Sequence, residues 1–260
     1  NVSYFSDGTH WYDQEGNPKY TIIGANGAER NTTLRDARKY NYVPSVTSIM
    51  NIISKPSLEH WKLTQALKSS VIIPRKEDES LESFIYRCIQ DSKDIGLNAA
   101  KEGTKIHDLI EKGFTDNVKS TPYKIIREYL DVHYPNQEWI AEGSFCSKLG
   151  YGGKIDLHSK EGIFIDFKTK DNILNKEPSK LAYDEYGMQL SAYAQGCGFT
   201  EKAERLSIFI DRQDTSCVSY YKWDEDTHSK HRDMFNNILS YWQLVKNYSP
   251  KSKEEGNEHK

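Results

Sequence analysis

Two aspartates and a lysine in adjacent segments are the residues best placed to do chemistry. Asp156 closes Gly153-Lys-Ile-Asp156, and Asp166 and Lys168 lie in Ile165-Asp-Phe-Lys168. Side chains alternate along a strand, so Asp166 and Lys168 share one side. The turn Ser159-Lys-Glu-Gly162 lets the two segments pair, which brings Asp156 towards Asp166. Facing carboxylates repel unless something positive lies between them. A divalent cation does this, and all-oxygen ligation suits Mg²⁺ or Mn²⁺. Beside such a centre Lys168 can orient or deprotonate a water, or stabilise charge building on a phosphate. An Asp-x-Lys alone is far more often an exposed ion pair on a surface hairpin. Here, however, Asp166 interrupts the apolar run Ile163-Phe-Ile-Asp-Phe167, which reads as a buried central strand where a charge needs a reason.

The elements that must position these residues follow from periodicity. Trp139 to Lys148, Tyr151 to His158 and Gly162 to Lys170 read as an antiparallel meander. A helix is expected from Leu181 to Cys197, then strands Leu206 to Asp211 and Cys217 to Trp223. Phe235, Ile238, Leu239, Trp242 and Val245 mark a last amphipathic helix. Upstream, Pro56 opens a helix carrying Leu58, Trp61, Ala66 and Leu67. Leu81, Phe84, Ile85, Cys88 and Ile89 predict a second helix, and Asp94 to Phe114 a third. On the third, Ala99, Gly103, His107 and Glu111 recur every four residues and share a face. At the start, His10 to Tyr12 and Tyr20 to Ile23 read as short strands around the turn Glu15-Gly-Asn-Pro18, followed by a loop over 24–31. Val43 to Ile49 looks like a helix start, with Ser45 or Thr47 as cap. The expected organisation is a β-rich extension over 1–42, a domain over 43–246 and a disordered charged tail over 247–260. Within the domain a helical part (43–134) precedes the core (135–246).

A chain of 260 residues allows one large domain. No apolar run approaches the roughly 20 residues that span a bilayer, so no membrane partner is expected. Asn1-Val-Ser-Tyr-Phe5 has neither a basic nor an apolar character, so a signal peptide is not read there. A cytoplasmic setting is expected, including that of a phage protein in its host, or a mitochondrial one if a transit peptide precedes Asn1. Cys88, Cys146, Cys197 and Cys217 are scattered, which argues against zinc and iron–sulfur sites and for free thiols. A net charge of -3 does not favour a nonspecific nucleic-acid binder, although a site rich in carboxylates contributes to it.

In order along the chain, Gly103-Thr-Lys-Ile-His107, Glu142, Gly153-x-x-Asp156, Asp166-x-Lys168 and Gln189-Leu-Ser-Ala-Tyr193 resemble the RecB-like branch of the PD-(D/E)XK nucleases. The resemblance covers roughly Val43 to Trp242. Within that branch it is most like the mitochondrial genome maintenance exonucleases and the phage-type exonucleases, through Pro44-Ser-Val-Thr-Ser48, the Glu142 strand and the region beyond Tyr193. It implies an α/β fold with a restriction-endonuclease-like core: a central mixed sheet flanked by helices, here with an N-terminal β-hairpin and a helical region. Ile155 stands where the family name puts proline, a position often not obeyed.

The resemblance also implies roles. His107, Asp156 and Asp166 match metal ligands, with the Phe167 carbonyl in addition. Glu142 matches the acidic residue of the first core strand, able to hold a second metal or a water on it, so one or two Mg²⁺ or Mn²⁺ ions are expected. Lys168 matches the catalytic lysine. Gln189 and Tyr193, on one helix face, match a pair that supports the site or contacts DNA. Lys148, Lys154, Lys170, Lys176 and Lys180 lie near the site in sequence and can hold phosphates. Thr169, Ser45 and Thr47 are further candidate substrate contacts. Arg35, Arg38 and Lys39 could guide a strand, and the helices between Ser57 and Ile95 could wall the site and favour threading of a single strand. The expected activity is metal-dependent exonucleolytic hydrolysis of DNA from single-stranded ends or flaps, in replication, repair or recombination. The alternatives are a duplex-processing recombination exonuclease and a non-catalytic nucleic-acid-binding module. The sequence leaves oligomeric state open.

Overall fold

A computed structural model describes residues 8–250. It opens with β1 (Trp11–Tyr12), β2 (Thr21–Ile23), β3 (Glu29–Asn31), α1 (Leu34–Tyr40), β4 (Val43–Pro44) and α2 (Val46–Met50). Two long helices follow, α3 (Pro56–Ile72) and α4 (Leu81–Thr115), then α5 (Thr121–His133). The central sheet begins with β5 (Trp139–Ser147), β6 (Tyr151–Ser159) and β7 (Ile163–Lys170). After α6 (Pro178–Leu181) and α7 (Asp184–Gly196) it is completed by β8 (Glu204–Asp211) and β9 (Val218–Lys222), and α8 (Thr227–Lys246) follows.

The five strands lie in chain order, β5-β6-β7-β8-β9. Only β7 and β8 are parallel, and α6 and α7 supply the crossover that a parallel pair requires. The sheet is therefore mixed and covered by helices, as the resemblance implied, and the antiparallel meander read from the patterning is its β5-β6-β7 part. On one face, Ile106, Ile110, Ile126 and Leu130 of α4 and α5 pack on Ile163, Ile165, Phe167, Leu206, Ile208 and Ile210. On the other, Leu190 and Ala194 of α7 and Phe235, Leu239 and Trp242 of α8 pack with Tyr151, Ile155 and Phe164. Burying each large side chain of this kind contributes about 1.5–3 kcal/mol. Trp11 joins this second core, edge-on to Trp242 at 6.2 Å.

Several local expectations change. β1 pairs with β4, not with β2. β2 instead pairs with β3, inside the expected loop over 24–31, because Gly27 with φ +77° closes a tight turn. Pro44 keeps Val43–Pro44 extended, so the helix starts only at Val46, with Ser45 as its cap. The second and third predicted helices are one, α4, since no proline or cap separates Ile89 from Asp94. The single expected helix from Leu181 is two, broken by the extended Ala182 and Tyr183. α1, held by a capping box between Thr33 and Asp36, and α5 were not expected. Val245 is exposed and falls off the α8 stripe. Of the expected disordered tail, 251–260 lies outside the described residues, as does 1–7 of the N-terminal extension.

α3 and the first half of α4 pack on each other and bury little. Among their residues up to Gln90 only Ser69 and Cys88 are fully buried, and Leu63, Leu67, Val71 and Tyr86 are exposed.

Candidate active site

The site lies where pairing between β6 and β7 stops. Their ladder holds only Leu157 opposite Ile165 and His158 opposite Phe164. The next step would set Asp156 opposite Asp166. There the Phe167 N–H donates instead to Asp156 Oδ2 at 2.8 Å. Across β6, β5 pairs in unbroken register except at Glu142, which faces Asp156 with a left-handed φ of 55°. Such a conformation costs a non-glycine residue on the order of 1–3 kcal/mol. The packing phase reverses at this point. Ala141 and Leu157 face the α4–α5 core, whereas Phe145 and Ile155 face the α7–α8 core. Regular alternation would keep 155 and 157 on one side. The kink thus sets Asp156 between the two layers.

β7 alternates regularly, so Asp166 points at α7. It is 2% exposed. Lys168 Nζ stands 2.9 Å from its Oδ1 and 2.7 Å from its Oδ2. Gln189 Nε2 donates to Oδ1 at 3.0 Å and to the Tyr193 hydroxyl at 2.9 Å, and Gln189 Oε1 accepts from Lys168 at 3.3 Å. Asp166 Oδ2 has no well-aligned hydrogen bond and meets only the charge of Lys168. The Asp156 carboxyl is pushed up to about 6 by burial and then by the charge of Asp166, against the pull of His107, Lys168 and the Phe167 N–H. His107 Nδ1 lies 3.7 Å from Asp156 Oδ2, with its ring edge-on to Phe167 at 6.0 Å. α4 delivers it by lying close on β7: a Cβ at Gly103 would come 2.9 Å from Thr169 Oγ1.

Two carboxylates and an imidazole suit a hard divalent cation. Among the described residues no three His, Cys, Asp or Glu side chains are gathered into a ready-made cage. Lys168 stands against Asp166 where a cation would compete with it. The fit rests on the chemistry of the donors: Asp166 Oδ2 is buried with only the Lys168 ammonium against it, and Asp156 is raised by burial and then by the charge of Asp166, a repulsion that a cation relieves.

A second group lies beside the kink. Glu142 forms an ion pair with Lys154. Glu111, one turn after His107, is pushed up by burial and then by Glu142. Lys154 therefore balances carboxylates here.

Thr47, Met50, Lys55, Lys168, Glu185, Tyr186 and Gln189 line a cleft over Lys168. Thr47 is thus where a substrate contact was expected. Ser45 is not: it is buried and its Oγ bonds Thr47, Ser48 Oγ and the Ser48 N–H as the α2 cap. Of the two roles expected for Tyr193, support of the site or contact with DNA, its burial against Phe145 and Gly153 fits the first. Thr169 is turned to Gly103 of α4, away from the side that carries Lys168. Lys170 is on that side, with Tyr183, Tyr186 and Phe209 around its ammonium. Arg38 donates to the carbonyls of Lys246 and Asn247 at the end of α8, which accounts for it without DNA. Sequence reasoning missed Lys55, Glu185 and Tyr186. Tyr186 was within reach, because Tyr186, Gln189 and Tyr193 follow helical spacing on one face.

Neither a family model nor a curated protein sequence matches the chain. Among solved structures it is similar to an alkaline exonuclease from Laribacter hongkongensis, with 11% identity and a TM-score of 0.37, covering 73% of this chain and 95% of that one. It is also similar to the protein SSO0001, with 13% identity and a TM-score of 0.28, covering 71% and 86%. Likenesses of this size carry no functional argument. Among the described residues no helix is long and apolar enough to cross a membrane.

Proposed function

We propose that this chain is a metal-dependent deoxyribonuclease of the PD-(D/E)XK type, an exonuclease acting at single-stranded DNA ends. The observation that carries this is the meeting of Asp156, Asp166 and Lys168 where β6 and β7 part, with the Lys168 ammonium against both oxygens of the buried Asp166. Asp156, Asp166 and His107, with the Phe167 carbonyl, would hold Mg²⁺ or Mn²⁺. When bound, such an ion supplies Lewis-acid stabilisation of the charge that develops on the phosphate. Asp166 holds Lys168, and Gln189 fixes both. Lys168, at the floor of the cleft, orients the attacking water and takes or shares its proton. Thr47 and Lys55 on the cleft wall offer donors to phosphate oxygens. Glu142 stands by as a further carboxylate on the far side of Asp156. The cleft passes between α2 with its connection to α3 on one side and α7 on the other.

The test is degradation of end-labelled single-stranded DNA with Mg²⁺, Mn²⁺ or EDTA, with Lys168→Ala and Asp166→Asn as controls. Metal-dependent loss of the substrate that vanishes in both variants is expected. Cleavage that survives in both variants, or in EDTA, would refute the assignment. DNA binding without cleavage under any metal would favour the non-catalytic module.

A further inference from the structure

Beyond Lys168 along the same side of β7 stands Lys170, roughly 7 Å further along the strand. Its surroundings differ from those of Lys168. The ammonium lies 4.2 Å from the Tyr183 ring centre, 5.2 Å from that of Tyr186 and 5.8 Å from that of Phe209. It donates to the Tyr186 hydroxyl at 3.2 Å. Among the described residues it forms no ion pair, whereas Lys168 is held by Asp166. An ammonium has three donors, so Lys170 has capacity left for an anion. Burial pushes it down to about 8, and Glu185 on the cleft wall pulls it back towards the charged form.

The two tyrosines sit in tilted contact around Lys170. Tyr186 lines the cleft, with Lys168 and Lys170 each 5.2 Å from its ring centre. Tyr183, 5.5 Å from Tyr186 and inclined to it by 43°, is 37% exposed. It stands in the extended residue before α7, at the end of the helix that also supplies Gln189. With Lys170 against one face of its ring, a partly exposed Tyr183 next to the cleft-lining Tyr186 has the chemistry to stack on an unpaired base.

We propose that Tyr183, Tyr186 and Lys170 form a nucleotide subsite beside the reacting phosphate, in which Tyr183 stacks on an unpaired base and Lys170 holds the neighbouring phosphate. The ligand class rests on the nuclease reading above. The subsite selects single strands, because a base held in a duplex cannot leave its stack without a cost.

The experiment measures binding of the full chain to a fluorescent oligothymidylate in EDTA, together with a set of the same oligonucleotide carrying one abasic position at each step. Metal-dependent cleavage of unlabelled strand is followed in parallel. In the wild type one abasic position should weaken binding by roughly 5- to 100-fold, the range for one base on an aromatic ring. Tyr183→Ala should lose a similar factor and respond no further to that abasic position, while Tyr183→Phe should bind as wild type. Lys170→Gln should lower the slope of log affinity against log salt by about 0.7, one phosphate contact on a single strand. Equal response to all abasic positions in the wild type overturns the subsite even if a variant folds poorly. So does an abasic penalty that Tyr183→Ala leaves intact. Cleavage retained with no abasic penalty sinks the subsite alone. An abasic penalty without any metal-dependent cleavage supports the subsite and sinks the nuclease.

Discussion

The Gln189 carboxamide donates to Asp166 Oδ1 at 3.0 Å, and through that one contact α7 fixes the direction of the most buried carboxylate of the site. The same group also bonds Lys168 and Tyr193. Gln189→Ala should leave three polar groups short of a partner, at about 1–3 kcal/mol of stability. It should lower nuclease turnover roughly 10- to 100-fold, as loss of an orienting group does. Thermal unfolding and single-turnover cleavage check this; turnover unchanged by the substitution would make Gln189 a packing residue only.

Asp156 should oppose folding at neutral pH when no cation is present. Its folded carboxyl titrates at about 6, above the ordinary value of 3.8, so the folded state binds the extra proton between these limits. Its contribution is most favourable below pH 3.8 and declines as pH rises through about 6. At about 1.4 kcal/mol per pKa unit the penalty at pH 8 is on the order of 2–3 kcal/mol. Asp156→Asn keeps an oxygen for the Phe167 N–H and removes the charge. In EDTA it should melt higher than wild type at pH 8 and by a smaller margin at pH 5, while losing cleavage. Divalent cations should raise the melting temperature of the wild type only.

Glu142→Gly separates strain from charge. Glycine accepts the φ of 55° without the penalty a side chain carries, so the strand should gain about 1 kcal/mol from the backbone. Loss of the ion pair with Lys154 gives back a few tenths. Chemical denaturation should show a net gain. Cleavage should fall, because the carboxylate beyond Asp156 is gone. A loss of stability would mean that the conformation is held by the side chain.

Acid should unfold the protein through a different layer. Arg205 is 1% exposed and bonds His231 Nδ1 at 2.9 Å, Ser191, Thr227 and backbone carbonyls, and it forms no ion pair among the described residues. Burial and then Arg205 lower the pKa of His231 below 6.5. A lowered histidine contributes its stability in full above 6.5 and loses it as pH falls towards the folded value. His231→Gln, which can still accept from Arg205, should flatten the fall in melting temperature between pH 6.5 and 5. An unchanged slope would place the acid sensitivity elsewhere.

The sheet strands carrying Asp156, Asp166 and Lys168 were legible because period-two patterning and Gly-containing turns are local signals. His107 was legible through its place in the ordered motifs of the resemblance, since a histidine on a helix face with Gly103 has no signal of its own. The division between Ile89 and Asp94 was misread because a change of apolar stripe resembles a boundary, although nothing there ends a helix. The left-handed Glu142 was not legible at all. It belongs to a phase reversal between two packed cores, and an acidic residue in a strand gives no sign of φ. Ser45 and Tyr193 were each open to two roles in the sequence, cap or contact and support or contact, and their burial fits the cap and the support. Tyr183 illustrates the converse, a ring whose interest comes only from its exposure beside Lys170.

α4 runs 35 residues without a break, roughly 52 Å at the helical rise. One end lies with α3, exposing Leu63, Leu67 and Val71 on that helix; the other carries His107 to Asp156. Between them Gly103 rests on Thr169 with no room for a side chain. That contact sets how closely α4 lies on β7, so a side chain larger than hydrogen at Gly103 would press on Thr169 and change the 3.7 Å separation of His107 Nδ1 from Asp156 Oδ2 one turn further on.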